Sequence, residues 1–292
     1  MELIDGKKIA EEIKREIARK AAEIIDAEQT PPHLAAILVG NDPASETYIA
    51  SKEKACRAVG FTSSVYRYPA EISEQQLLEA VDFLNNDEEV HGFIVQLPLP
   101  RHIDANKVIE RINPAKDVDG FHPVNVGRLA LGLPSYVPAT PAGIVLLLEK
   151  YGIETEGKHC VVLGRSNIVG TPVSLLMSRK AVPGNCTVTL CHSKTTNLAE
   201  ITRQADILIA AIGQPGFVTG DMVKEGVVVV DVGIHRIEDD SEKGYHITGD
   251  VDFRSVAPKS SYITPVPGGV GLMTIVSLLL NTLKAYNREI YS

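Results

Sequence analysis

Val161-Val162-Leu163-Gly164-Arg165-Ser166-Asn167-Ile168-Val169-Gly170-Thr171-Pro172 is the stretch whose reading decides the fold. A short β-branched run ends at a glycine, a polar turn follows, and a second glycine with a proline opens an apolar helix over residues 173–177. That is strand, tight turn, helix N-terminus, the layout that sets a pyrophosphate against backbone N–H groups at the positive end of a helix. The spacing departs from G-x-G-x-x-G because Ser166 stands where the middle glycine would be. An ordinary βα turn has the same outline, so the stretch alone does not choose between the two.

Outward from this turn the chain alternates. Toward the C-terminus, short Val- and Ile-rich strands are expected at residues 160–164, 187–191, 207–211 and 227–231, followed by a polar excursion over 235–249. A mixture of proline and glycine fills 265–271, and a final apolar helix is expected over 272–286. Toward the N-terminus, Ile9, Ile13, Ile17, Ala21, Ile24 and Ile25 follow a helical period over 7–25, with Asp5 or Gly6 as cap. Strands are expected at 34–39, 63–68 and 92–97, and helices at 44–59, 73–84 and 142–151. Alternation of this kind means βαβ units and a parallel sheet. Residues 113–141 are broken by Pro114, Gly120, Pro123, Gly127, Gly132, Pro134, Pro138 and Pro141 and read as a loop-rich passage between two lobes. The expectation is an α/β protein of two domains flanking a cleft. Residues 1–141 with 272–292 form the first, made discontinuous if the last helix packs back on it. Residues 142–271 form the second, Rossmann-like and nucleotide-binding.

Composition limits the function. The chain has 292 residues, 44% hydrophobic and 23% charged, with a formal charge of −8. A net acidic surface argues against general nucleic-acid binding, which needs a basic face. The N-terminus carries no apolar signal core. No apolar run approaches the roughly 20 residues of a membrane span. The four cysteines form no C-x-x-C pair and read as free buried thiols. The eight histidines show no ligand spacing, and no metal site is expected.

Cofactor choice is readable at the second strand of the second lobe. An NAD site places a carboxylate there for the ribose hydroxyl. Here the strand ends in Cys191-His192-Ser193-Lys194-Thr195, with no carboxylate, while Arg165 sits in the first turn. An extra phosphate is attracted where a carboxylate would repel it, which argues for NADP over NAD. In the first lobe, Tyr48 and Lys52 are four apart on a helix and share a face. One is an aromatic plate with a hydroxyl, the other a cation or, if desolvated, a base. A helical lysine is commonly solvated and a helical tyrosine commonly packs, so spacing leaves both readings open. Gln96 ends an apolar strand and projects from a carboxyl edge, where α/β sheets hold ligands, or else caps that edge. Asp117 and Asp119 suit a turn equally well, or a carboxylate there holds the N–H groups of a heterocycle.

Together these stretches resemble the bifunctional methylenetetrahydrofolate dehydrogenase/methenyltetrahydrofolate cyclohydrolase family. The matching segments are Ser45-Glu46-Thr47-Tyr48 through Ser51-Lys52, Gln96-Leu97-Pro98-Leu99-Pro100, Lys116-Asp117-Val118-Asp119-Gly120-Phe121, the opening stretch from Gly164 to Gly170, Asp231-Val232-Gly233, and Pro265-Val266-Pro267-Gly268-Gly269-Val270-Gly271. They span nearly the whole chain in the family's order. Leu272 stands where a proline is usual and Ala139 where many members have cysteine.

The resemblance implies NADP-dependent oxidation of 5,10-methylenetetrahydrofolate to the methenyl form, then hydrolysis to 10-formyltetrahydrofolate, by a cytoplasmic homodimer. It implies that Tyr48 stacks on the folate, that Lys52 is catalytic, that Gln96 hydrogen-bonds and tunes Lys52, and that Asp119 anchors the pterin. Leu97, Pro267, Gly268 and Gly269 are then substrate-binding, and Gly164, Arg165, Ser166, Ser193 and Ile234 contact NADP. The alternatives are a monofunctional NADP-dependent dehydrogenase and a catalytically silent NADP-binding regulator.

Overall fold

The computed structural model describes residues 1–241 and 244–291. The chain divides into two compact units. One comprises Met1–Glu11 with Thr140–Thr274, the other Glu12–Ala139 with Ile275–Ser292.

The first unit is built on a six-stranded sheet in the order Glu2–Leu3, Ser260–Ile263, Val227–Asp231, Ile207–Ala210, His159–Leu163, Thr187–Cys191. All five pairings are parallel. The opening stretch supplies the strand at which the order reverses: the chain steps from His159–Leu163 to Thr187–Cys191 on one side, then to Ile207–Ala210 on the other. Cys160, Val161, Val162 and Leu163 are all buried, as a strand covered on both faces requires. Val161 and Leu163 share a core cluster with Leu208, Ala210, Val227, Val229 and Ile263. The helix Gly170–Ser178 follows the turn.

Two strands of this sheet are absent from the sequence reading. Ser260–Ile263 and Glu2–Leu3 are short and lack an apolar alternation of their own, and pairing with Val227–Asp231 and with each other defines them. Pairing of Glu2–Leu3 with Tyr262 and Ile263 also places residues 1–11 in this unit, where the sequence reading grouped them with the first lobe. The polar excursion is an antiparallel hairpin of His235–Glu238 and Tyr245–Thr248, part of whose tip lies outside the described residues.

The second unit has a three-stranded parallel sheet in the order Thr62–Tyr68, His33–Val39, Gly92–Val95. Its core joins Ile37, Val39, Leu77, Val81, Leu84, Phe93, Val95 and Val108. The helix Pro43–Ala58 starts at Asp42, whose carboxylate accepts from Ser45 N at 2.8 Å, with Pro43 pre-set for the first turn. Ser73 and Gln76 form a capping box on Glu74–Asn86. The passage over 113–141 is not wholly loop. Pro123–Ala130 is a helix, begun by Pro123 and capped by His122 Nδ1, which accepts from Val124 N at 3.0 Å. Residues 275–291 belong to this unit, and Asn281 Nδ2 donates to Val118 O and Val137 O, each at 2.9 Å. The four cysteines are buried and unbridged. No described helix is long and apolar enough to cross a membrane.

Candidate active site

In the second unit the predicted residues gather at the carboxyl edge of the three-stranded sheet. Gln96 follows Gly92–Val95, and its N–H extends the ladder to Ile37 O at 2.9 Å. Its side chain is oriented unambiguously. Nε2 donates to Leu97 O at 2.7 Å, which leaves Oε1 to face Lys52, whose Nζ donates to it at 3.0 Å. This bond holds one N–H of Lys52 and aims the rest of the nitrogen elsewhere. Burial pulls the Lys52 ammonium below the ordinary lysine range, opposed by the charge of Asp119. Asp119 is raised by burial and drawn back down by Lys52. Cys56 itself is pushed up to about 12 by burial and stays a thiol. Tyr48, one turn before Lys52 on the same face, is 42% exposed, so its ring is presented and not packed away.

The structure separates the two aspartates that turn chemistry alone left equivalent. Asp117 is buried and consumed by its own turn: it accepts from His122 N at 2.8 Å, Asn125 Nδ2 at 2.9 Å and Phe121 N at 3.3 Å. Burial raises it to about 7 against those bonds. Asp119 is partly buried and faces Lys52 electrostatically. Asp117 builds the turn, and the Asp119 carboxylate faces Lys52 instead.

In the first unit the other predicted residues lie on loops leaving the carboxyl edge of the six-stranded sheet. Gly164 has φ +104°, and a Cβ there would strike the Ala211 carbonyl oxygen of the neighbouring loop. A Cβ at Gly170 would strike the Gly164 carbonyl oxygen. Strand end and helix start therefore meet backbone to backbone, which is what the outer glycines of a dinucleotide turn provide. Ser166 replaces the middle glycine with a function: its Oγ accepts from Val169 N at 3.2 Å and Gly170 N at 3.4 Å, and neither bond uses its own O–H. Gly164 N donates to Cys191 O at 2.9 Å, so the turn bearing Arg165 and the loop bearing Ser193 and Lys194 leave adjacent strands side by side. All three side chains are exposed and no carboxylate accompanies them on these two loops. This donor set fits a nucleotide with an extra ribose phosphate.

Ile234 follows Val227–Asp231 and is 46% exposed. Pro267, Gly268 and Gly269 lie beyond Ser260–Ile263 and are tied to the N-terminal helix by Lys7 N to Gly268 O at 3.1 Å, where Gly6 packs directly on Gly269. The candidate residues thus form two sets, one in each unit.

Sequence reasoning missed Asp250 and quoted Asp231 only within a matching segment, without a role for its carboxylate. Asp250 is fully buried. Its Oδ2 accepts from Ile212 N at 2.8 Å and Gly213 N at 3.1 Å, and its Oδ1 from Gln214 N at 2.9 Å and His235 Nε2 at 2.7 Å. Asp231 accepts from Gly233 N, Asp250 N and Val251 N at 2.9–3.0 Å, and burial raises it to about 6. Together they tie the loop after Ile207–Ala210 to both ends of the hairpin. The packing is reciprocal. Gly233 leaves no room for a Cβ beside Asp250, nor does Gly249 beside Asp231, so Asp231-Val232-Gly233 and Gly249-Asp250-Val251 interlock.

Comparison with known proteins matches these two sets of residues to two described domains. Residues 4–119 match the tetrahydrofolate dehydrogenase/cyclohydrolase catalytic domain, and residues 138–290 match the NAD(P)-binding domain of the same family. The chain is 62% identical to the bifunctional protein FolD of Porphyromonas gingivalis, over 97% of this chain and 96% of that one. It is 61% identical to that of Bacteroides thetaiotaomicron over the full length of both. Among solved structures, the bifunctional FolD enzyme of Campylobacter jejuni superposes with a TM-score of 0.92 at 50% identity, covering 98% of this chain and 99% of that one. The Trypanosoma brucei dehydrogenase-cyclohydrolase, solved with NADP and an inhibitor, gives 0.93 at 39% identity, covering 99% and 98%. With both of its domain models matched in order and full-length relatives this similar, the chain belongs to the tetrahydrofolate dehydrogenase/cyclohydrolase family.

Proposed function

We infer that the protein oxidises 5,10-methylenetetrahydrofolate with NADP to 5,10-methenyltetrahydrofolate and hydrolyses that product to 10-formyltetrahydrofolate. The observation that carries this reading is the Lys52–Gln96 pair, with a desolvated lysine beside Asp119.

The two steps ask for different things. The carbon that loses hydride lies between two nitrogens whose lone pairs stabilise the developing cation, and no hydroxyl proton has to leave. The protein's part there is positioning. Tyr48 offers a ring face to the flat heterocycle, and Asp119 a carboxylate to its N–H groups. NADP, when bound, supplies the hydride acceptor. Gly164, Arg165, Ser166, Ser193 and Ile234 are assigned to hold it, with Arg165 on the extra phosphate. In the second step water adds to the cationic carbon and must lose a proton, and a ring nitrogen must gain one. Lys52, oriented by Gln96 and with its pKa lowered, serves that transfer. The contribution of Leu97, Pro267, Gly268 and Gly269 to folate binding rests on the resemblance.

Hydrolysis of methenyltetrahydrofolate supplied directly, without nucleotide, tests the hydrolase half. Acceleration over buffer supports the bifunctional reading, and its absence leaves the monofunctional dehydrogenase. Tight NADP binding without any turnover would point to the silent regulator. Arg165→Ala tests the cofactor assignment. Loss of a charge-assisted phosphate contact predicts NADP affinity falling about 10- to 100-fold with NAD affinity nearly unchanged. Titration with both nucleotides checks it, and an equal loss for both contradicts the assignment.

We propose further that the protein acts in the cytoplasm as a homodimer. The half-exposed edge strand Thr62–Tyr68, paired on one side by His33–Val39, is the surface that favours self-association. Sedimentation at micromolar concentration tests the dimer, and a monomer would contradict it.

A further inference from the structure

We propose that Asn281 is a positioning residue which fixes Asp119 relative to Lys52 and thereby governs folate binding and the hydrolytic step. The proposal rests on the functional reading of Asp119 and Lys52 given above.

Asn281 sits on the helix Val270–Tyr286, whose neighbouring positions Val276, Leu278, Leu279 and Leu283 are buried core. An amide there, itself 3% exposed, costs stability unless it is hydrogen-bonded. Its Nδ2 spends one donor on Val118 O and one on Val137 O, both at 2.9 Å. Val118 immediately precedes Asp119, so the held carbonyl belongs to the peptide plane that also contains Asp119 N. Because that plane is rigid, anchoring its oxygen sets the direction from which the Asp119 Cα departs. The second bond holds the segment on which the next residue rests. Gly120 has φ +75°, and a Cβ there would lie 2.7 Å from Tyr136 O and Pro138 N. One buried amide thus draws together the two backbone stretches that bracket Asp119.

One residue earlier, the turn is also held from the same C-terminal stretch. Tyr291 Oη donates to Asn125 Oδ1 at 2.7 Å, and Asn125 Nδ2 donates to Asp117 Oδ2 at 2.9 Å. Asn281 therefore holds the turn at Val118, and Tyr291, through Asn125, holds it at Asp117, the two residues that lead into Asp119. Lys52 is faced by Asp119 from the turn, by Gln96 from the strand end and by Cys56 from its own helix. Of these, Asp119 most strongly favours the ammonium. A slackened turn weakens that influence, and Lys52 loses its proton at lower pH.

The test is Asn281→Leu in the full-length enzyme, beside Leu283→Ala as a comparably buried lesion on the same helix whose side chain donates no hydrogen bond to either carbonyl. Asn281→Leu is expected to raise the KM for methylenetetrahydrofolate about tenfold, on the scale of a buried hydrogen bond left unmade. It should leave the KM for NADP unchanged and move the acid limb of the cyclohydrolase pH profile to lower pH. Leu283→Ala should lower the Tm with neither change. If Asn281→Leu fails to fold, Tyr291→Phe removes a single hydroxyl bond and should raise the folate KM about twofold or more. The proposal is overturned if Asn281→Leu keeps the wild-type folate KM and pH profile, if Leu283→Ala reproduces its pattern, or if Tyr291→Phe, used in its place, leaves the folate KM unchanged. A wild-type enzyme without either activity would instead overturn the functional reading beneath it.

Discussion

Replacing Lys52 with methionine separates the two activities: methenyltetrahydrofolate hydrolysis falls about a thousandfold, within the range for loss of a general acid or base, while the dehydrogenase falls far less. The expectation follows from counting protons. Hydride departure needs no base, because the nitrogens flanking the carbon carry the developing charge. Hydrolysis needs a proton moved from water and another delivered to a ring nitrogen. Lys52 is the group prepared for this, held by Gln96 at 3.0 Å and lowered in pKa by burial. Methionine keeps an unbranched chain of similar reach and removes the nitrogen. Folate binding has to be confirmed for the variant, since a lost contact would reduce both rates together. The wild-type pH profile supplies a second check. A lysine serving as a base works through its neutral form, so activity should rise with pH and level off below the usual lysine range. Equal losses of both activities in Lys52→Met would refute the division of labour.

Gly164→Ala should disable the nucleotide-binding unit altogether. The residue has φ +104°, a conformation L-residues rarely adopt, and the added methyl would strike the Ala211 carbonyl oxygen. Ala211 cannot give way cheaply, because its own N–H is bonded to Leu163 O at 2.8 Å at the end of the paired strands. Strain and collision together put the cost above about 4 kcal/mol, the range in which single substitutions commonly abolish folding. Gly127→Ala is the control. It lies inside Pro123–Ala130 with nothing within 4 Å of the added carbon, and should be neutral or stabilising by up to about 1 kcal/mol. Thermal denaturation and NADP titration of the two variants check the contrast. A Gly164→Ala protein with wild-type Tm and NADP affinity would contradict the account of this turn.

What could be read from the sequence was whatever repeats locally. The strands His159–Leu163, Thr187–Cys191, Ile207–Ala210 and Val227–Asp231 announce themselves as apolar runs, and Tyr48 and Lys52 share a face because helices have a fixed period. Features defined by a distant partner were hidden. Ser260–Ile263 and Glu2–Leu3 are strands because of what lies beside them. Pro123–Ala130 is a helix despite a proline and a glycine, because the proline falls in the first turn and His122 caps it. Asp117 and Asp119 are equivalent as turn residues, and only the resemblance favoured Asp119; the physical difference arises when Asn125, His122 and Phe121 surround Asp117. Asp250 and His235 have no linear spacing that signals a site, and Asn281 reads as one polar residue in an apolar helix.

The central claim is that one chain performs both reactions. It is tested most directly by following NADPH formation and methenyltetrahydrofolate decay in the same cuvette, starting from methylenetetrahydrofolate and NADP. The account predicts NADPH rising while the methenyl intermediate disappears faster than it does in enzyme-free buffer, with 10-formyltetrahydrofolate as product. NADPH formation with methenyltetrahydrofolate accumulating and decaying only at the buffer rate would contradict it.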